Sequence, residues 1–309
     1  MKYKFFLGLF LLLIPKGYSQ IATGHFDYEK TSPTAVIVGS GAIDSHTRYE
    51  KIVLDAFGSK MPFYHFINQR NSNNSYVILL HGLGGKKDYW VYPSMPYLEY
   101  TQNLTSIKDS LLSLGFNLVI PDAKYHGERS YELNFRNPGS LPPGLSKSKE
   151  DALIFYDLYV SSIREVRLIM DYLEENNKDS DLAFNLIGYS MGGAFSLILN
   201  HLDQRVHCVA ACVPPLARPF SELENLDWPN EIAEKMKAIS PFYVATDQEA
   251  PVALFMGKTD FFIPKEEAES FFEMIPVEDK KLKFYDSGHE LPADYIEDVI
   301  HWIIDHQEK

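Results

Sequence analysis

The hydrophobic pattern of this chain switches repeatedly between two periods. Short apolar runs read as buried strands: Tyr76–Leu80, Asn117–Pro121, Leu182–Gly188, Val206–Val213, Pro251–Met256 and Lys281–Tyr285. Between them lie segments with helical spacing: Thr105–Leu114, Lys149–Asn177, Met191–Leu202, Lys265–Met274 and Ala293–Asp305. Gly115 closes the first of these in the manner of a helix C-cap. Arg48–Ala56 and Pro62–Asn68 precede the alternation and read as an opening hairpin. Strand and helix in alternation predict an α/β domain, a mostly parallel central sheet flanked by helices.

Two stretches break the rhythm. Residues 124–148 contain Pro138, Gly139, Pro142, Pro143 and Gly144 and are expected to form a long rim loop. Pro214–Gln248 carries prolines, Trp228 and a short amphipathic helix near Glu231–Ile239, and reads as a small cap insertion over residues 214–248. No internal repeat is visible.

Composition narrows the class. With 309 residues, 45% apolar and 23% charged, the chain can build one sizeable core and is not a disordered sequence. The net charge of −13 disfavours nucleic acid, which needs a basic patch, and equally an anionic membrane surface. The amino terminus has a further pattern: Lys2 and Lys4, an apolar run from Phe5 to Ile14, then the small residues Gly17 and Ser19. This is the three-part form of a secretory signal peptide over residues 1–19, leaving a mature domain of 20–309 that is secreted or periplasmic. The apolar run is too short to span a bilayer, for which roughly 20 residues are needed. Cys208 and Cys212 share one predicted strand, so their separation is roughly 13 Å at about 3.3 Å per residue. A disulfide needs Cα atoms within about 7 Å, so both are expected as unbridged core residues.

The candidate chemistry begins at Gly188-Tyr189-Ser190-Met191-Gly192, between a predicted strand and a predicted helix. A G-x-S-x-G sequence in that setting is a nucleophile elbow: a sharp strained turn that exposes the serine hydroxyl at the head of a helix. His81-Gly82-Leu83-Gly84-Gly85 directly follows another strand and can fold back to present a backbone N–H. Leu83 and Met191 are the expected oxyanion-hole donors. His81 is expected to buttress this loop rather than to react. A serine nucleophile needs a base. Of the ten histidines, His289 in Ser287-Gly288-His289-Glu290 follows both Ser190 and a strand. Asp260, after the strand Pro251–Met256, is the expected acid, with Asp286, Asp247 and Glu290 as competitors. The order Ser190, Asp260, His289 is that of α/β-hydrolases. Arg129 is expected to pair with Glu128 or Asp122, or else to contact substrate. Tyr89 and Trp90 are read as pocket lining or as packing.

Taken together, HGLGG at 81–85, PDAKYHGER at 121–129, GYSMGG at 188–193, GKTDFFIP at 257–264 and SGHELP at 287–292 resemble the α/β-hydrolase superfamily over roughly residues 45–309. The similarity is to its dienelactone-hydrolase-like and serine-aminopeptidase-like esterase branches. It implies a serine mechanism on ester substrates, with no cofactor and no metal. True dienelactone hydrolases carry cysteine where this chain has Ser190, so their particular reaction is not implied, and a propeller-gated peptidase is not expected. The expected activity is that of a carboxylesterase on short or medium acyl esters of small molecules. A peptidase or acyltransferase with the same triad is the alternative, and an inactive binding protein on this fold the reading from another class. A monomer without stable membrane association is expected.

Overall fold

The computed structural model describes residues 23–30, 32–70, 75–93, 99–177, 182–216 and 228–307. The expected leader, residues 1–19, lies outside them, as does 217–227 in the expected cap.

Strands β1 (Thr34–Ala42), β2 (Thr47–Ala56) and β3 (Ser59–Asn68) form an antiparallel set. β4 (Ser75–Leu80) leads through helices α1 (Asp88–Val91) and α2 (Glu99–Ser113) to β5 (Asn117–Pro121). The rim segment contains the short helix α3 (Pro143–Ser146) and is followed by α4 (Lys149–Asn176). Then come β6 (Ala183–Tyr189), α5 (Met191–Leu202), β7 (Val206–Cys212) and α6 (Asn230–Ala238). β8 (Val252–Gly257), α7 (Lys265–Met274), β9 (Lys280–Tyr285) and α8 (Tyr295–Asp305) complete the described chain.

The sheet has nine strands in the order β1-β2-β3-β5-β4-β6-β7-β8-β9, and β5 to β9 run parallel together with β4. Residues of β4, β5, β6 and β8 are buried at every position, which is why they read as unbroken apolar runs. The connection from β4 to β5 runs one way across the sheet and those from β5 onward run the other. Right-handed crossovers therefore put α2 on one face and α4 to α7 on the opposite face. The packing of α2 against α8, and of α4 against α5 and α6, fits this division. The reversal opens a crevice at the carboxyl ends of β4 and β6, where α/β sheets place their sites. The pairing Leu80↔Gly188 sets the loop after β4 beside the elbow after β6.

The structure departs from the sequence expectation in several places. β1 was not expected. It is an edge strand whose Val36, Ile37 and Val38 are each more than half exposed, so no buried face imprints a pattern on it. α2 begins at Glu99 rather than near Thr105, because its first turns bury the polar Thr101 and Asn103, and Asn103 Nδ2 donates to the Leu291 carbonyl at 3.2 Å. The rim of 124–148 is not a plain loop but a series of short turns of helix. Cys208 and Cys212 lie buried and unbridged on β7, as expected.

Candidate active site

The site is built on the turn between β6 and α5. Ser190 sits there with φ 52° and ψ −117°, a strained conformation for a residue with a side chain. Two glycines make that turn feasible. A Cβ on Gly188 would lie 2.1 Å from the Gly192 carbonyl oxygen, and one on Gly192 would lie 2.3 Å from the Leu80 carbonyl oxygen. The turn is fixed further by the Ser190 N–H, which donates to the Cys212 carbonyl at 2.8 Å.

From the hydroxyl a hydrogen-bonded chain runs outward. Ser190 Oγ is 2.9 Å from His289 Nε2, and His289 Nδ1 is 2.8 Å from Asp260 Oδ2. The Asp260 side chain is fully buried, and its other oxygen accepts the Phe262 N–H at 2.8 Å. An ionised carboxylate needs a proton on Nδ1, which leaves Nε2 as the acceptor for the serine proton. Asp286 is not the partner: it is exposed and paired with Lys258 at 2.5 Å. The loops carrying Asp260 and His289 are joined, since the Thr259 N–H and hydroxyl both donate to the Ser287 carbonyl at 3.0 Å.

Met191 opens α5, so its N–H has no acceptor within the helix and lies at the positive end of the helix dipole. Leu83 lies in the turn closed by the Gly85 N–H to the Gly82 carbonyl, 2.9 Å. That turn is held from the PDAKYHGER segment. His81 Nε2 accepts the Ala123 N–H at 3.1 Å, and His126 Nε2 accepts the Gly84 N–H at 2.9 Å. Asp122 accepts both the backbone N–H and the Nζ of buried Lys87 at 2.8 Å, and Glu128 pairs with the same Lys87. His81 is therefore a buttress, as expected, and His126 is a second one whose role its sequence context did not reveal.

Arg129 departs from expectation. It is fully buried and forms its main ion pair with Glu165 of α4, with the Nη2 donating to Oε1 at 2.8 Å. It is not a substrate contact, and its pairing with Asp122 reduces to a 3.5 Å bond to that residue's carbonyl. Trp90 is fully buried and so belongs to the packing, while Tyr89 is half-buried with its ring edge-on to Tyr100.

The sequence reading missed Tyr189, the variable residue inside the elbow motif. Its hydroxyl donates to the His289 carbonyl at 2.8 Å and accepts the Leu291 N–H at 3.0 Å. It thus ties the loop carrying His289 to the strand that leads into Ser190. Tyr189→Phe leaves the buried Leu291 N–H and the half-buried His289 carbonyl without this partner and frees that loop. Turnover should fall by roughly 10- to 100-fold with the protein still folded, since small misplacements of a catalytic group carry costs of that order. Steady-state kinetics beside a thermal melt make the measurement, and wild-type kcat in the variant would show that the tether is irrelevant.

The buried histidines also set a pH response. Burial pushes His81 down to about 4, and His65 and His126 down to about 3, from an ordinary value of 6.5. All three are neutral when folded but take up protons when unfolded. Their contribution to stability is complete above pH 6.5 and is lost as pH falls towards 4 for His81 and towards 3 for His65 and His126. Below pH 6.5 the unfolded chain takes up protons that the folded one does not, and stability falls. Urea midpoints measured from pH 8 to pH 5 should drop steeply below 6.5, and His65→Leu should flatten the drop. An unchanged slope in that variant would contradict this account.

Among the described residues, no group of His, Cys, Asp and Glu is arranged to hold a metal ion, and no helix is long and apolar enough to cross a membrane.

The sheet order and the elbow define an α/β-hydrolase fold. The sequence profile of the dienelactone hydrolase family matches residues 97–294, and the chain belongs to that family. It is 26% identical over 141 residues to a Bacillus subtilis (strain 168) protein named "Putative esterase YitV"; the match spans 45% of each chain, so under half of that relative's length. Among solved structures, acetyl xylan esterase 1 from Thermoanaerobacterium sp. JW/SL YS485 superposes with a TM-score of 0.67 at 17% identity, covering 95% of both chains. A cold-adapted esterase from an Arctic intertidal metagenomic library superposes with a TM-score of 0.61 at 15% identity, covering 88% of this chain and 100% of the other. At such identities these likenesses speak for the fold.

Proposed function

We propose that this protein is a carboxylesterase-like serine hydrolase acting on short or medium acyl esters through an acyl-enzyme on Ser190. The observation that carries the reading is the continuous hydrogen-bonded chain Ser190–His289–Asp260, with its 2.9 and 2.8 Å links. His289 takes the serine proton as Oγ attacks the ester carbonyl, and the N–H groups of Leu83 and Met191 receive the developing oxyanion. His289 then passes the proton to the departing alcohol. A water activated by the same imidazole releases the acid.

The preference for short chains draws on α6, which lies in the segment expected as a cap and packs against α4. α6 buries Ile232 and Met236 and exposes Glu231 and Glu234, which pair along the helix with the half-buried Lys235 and with Lys237 at 2.5 and 2.7 Å. A charged outer face is poorly suited to lie on lipid, as an interfacial lipase lid must. Specificity constants for acetyl, butyryl, octanoyl and palmitoyl esters of one alcohol should fall steeply beyond the medium chains. A rise towards palmitoyl, with a jump above the substrate's solubility limit, would make the protein a lipase instead.

A further inference from the structure

The geometry points to a binding surface for the alcohol half of the ester, formed by Phe261 and Phe262, and to a neutral, ring-bearing alcohol as its occupant. The inference rests on the esterase reading above. It starts from the turn that follows Asp260. The Phe262 N–H donates to Asp260 Oδ1 at 2.8 Å, and Ile263 is 1% exposed, so the backbone is anchored on both sides of the phenylalanine pair. The two phenyl rings nonetheless project outward: Phe261 is 88% exposed and Phe262 61% exposed, with ring centroids 5.6 Å apart. Leaving two adjacent aromatic rings in water forgoes the burial that such side chains usually obtain, and a pair of this kind suits a ligand.

The position of the pair says which part of a substrate would cover it. The Phe262 ring stands edge-on to the His289 imidazole, 5.0 Å between centroids. Nε2 of that imidazole must come within about 3 Å of the leaving oxygen to protonate it. The carbon bonded to that oxygen is thereby brought to within a ring's breadth of Phe262. The carbonyl oxygen is drawn the other way, to the N–H groups after β4 and β6, whereas Phe262 follows β8, two strands beyond β6. The pair therefore faces the alcohol rather than the oxyanion. A methyl or ethyl group would leave both rings wet. A flat ring with an apolar face, aryl or pyranose, would cover them. The Asp286 charge is answered by Lys258, and with −13 on the chain as a whole a neutral alcohol is favoured over an acidic one.

Three acetates of primary alcohols test this with the acyl group held constant: ethyl acetate, benzyl acetate and methyl 6-O-acetyl-glucopyranoside. The wild-type protein should prefer at least one ring-bearing ester over ethyl acetate by about tenfold or more in kcat/KM, a range typical of apolar pocket contacts. Whichever ester is preferred separates the aryl from the sugar source. Phe262→Ala should remove most of that preference, chiefly through KM, and Phe261→Ala should shift it in the same direction. Phe135→Ala, at a 76% exposed phenylalanine on the rim segment, should leave the preference intact. Equal wild-type constants for all three esters would overturn the inference. So would a Phe262→Ala variant that loses activity on all three by one factor, since the ring would then only brace His289. In either case fluorophosphonate labelling of Ser190 shows whether the esterase reading survives; absence of labelling removes both.

Discussion

Ser190→Ala should abolish ester hydrolysis, by a factor of about 10⁴ to 10⁶ in kcat, without disturbing the fold. The size follows from the role: removing a triad nucleophile leaves only the catalysis that the oxyanion donors and substrate binding can supply. The stability follows from the geometry. The Ser190 hydroxyl makes its hydrogen bond to His289, while the strained turn is held by the Ser190 backbone N–H and by the glycines at 188 and 192. Alanine preserves those backbone features. The melting temperature should stay within a few degrees of wild type, and labelling by a fluorophosphonate should disappear with the activity. Turnover above a few per cent of wild type, in protein free of wild-type contamination, would mean that another group is the nucleophile.

The parts of the site legible in the sequence are those that one segment of chain specifies by itself. A serine framed by glycines between strand and helix defines its own turn, because Gly188 and Gly192 have no room for a Cβ. Asp260 and His289 were recognisable because each closely follows a strand at the rim where α/β sheets place chemistry. What stayed hidden depends on distant segments meeting. Arg129 carried no sign that Glu165 would be its partner, for that pair forms only once α4 packs across the sheet. The Tyr189 hydroxyl and the His289 carbonyl lie 100 positions apart, and nothing in a variable motif position announces such a tether. His126 reads like any loop histidine until β4 and β5 pair and bring Gly84 to its ring. β1 escaped notice because both its faces are wet, and so its sequence records no buried side.

The same geometry makes Asp260→Asn a sharper test than the usual removal of an acid. The two oxygens of Asp260 are not equivalent: Oδ1 accepts the Phe262 N–H and Oδ2 faces His289 Nδ1, both at 2.8 Å. In an asparagine the carbonyl oxygen must take the first position, because an amide NH₂ cannot accept from the Phe262 N–H. The amide nitrogen is then directed at Nδ1. As a donor it requires Nδ1 to be an acceptor, which moves the imidazole proton to Nε2, facing Ser190 Oγ. Every hydrogen bond is preserved, and the base is lost through the wrong tautomer. The variant should therefore melt close to wild type while kcat falls by as much as about 10⁴, the scale seen for a triad aspartate in serine proteases. Asp286→Asn, at an exposed residue paired with Lys258, should cost almost nothing, as should Asp247→Asn. If either of these impaired turnover far more than Asp260→Asn, the acid would lie elsewhere and the chain from Ser190 to Asp260 would be a structural feature without catalytic consequence.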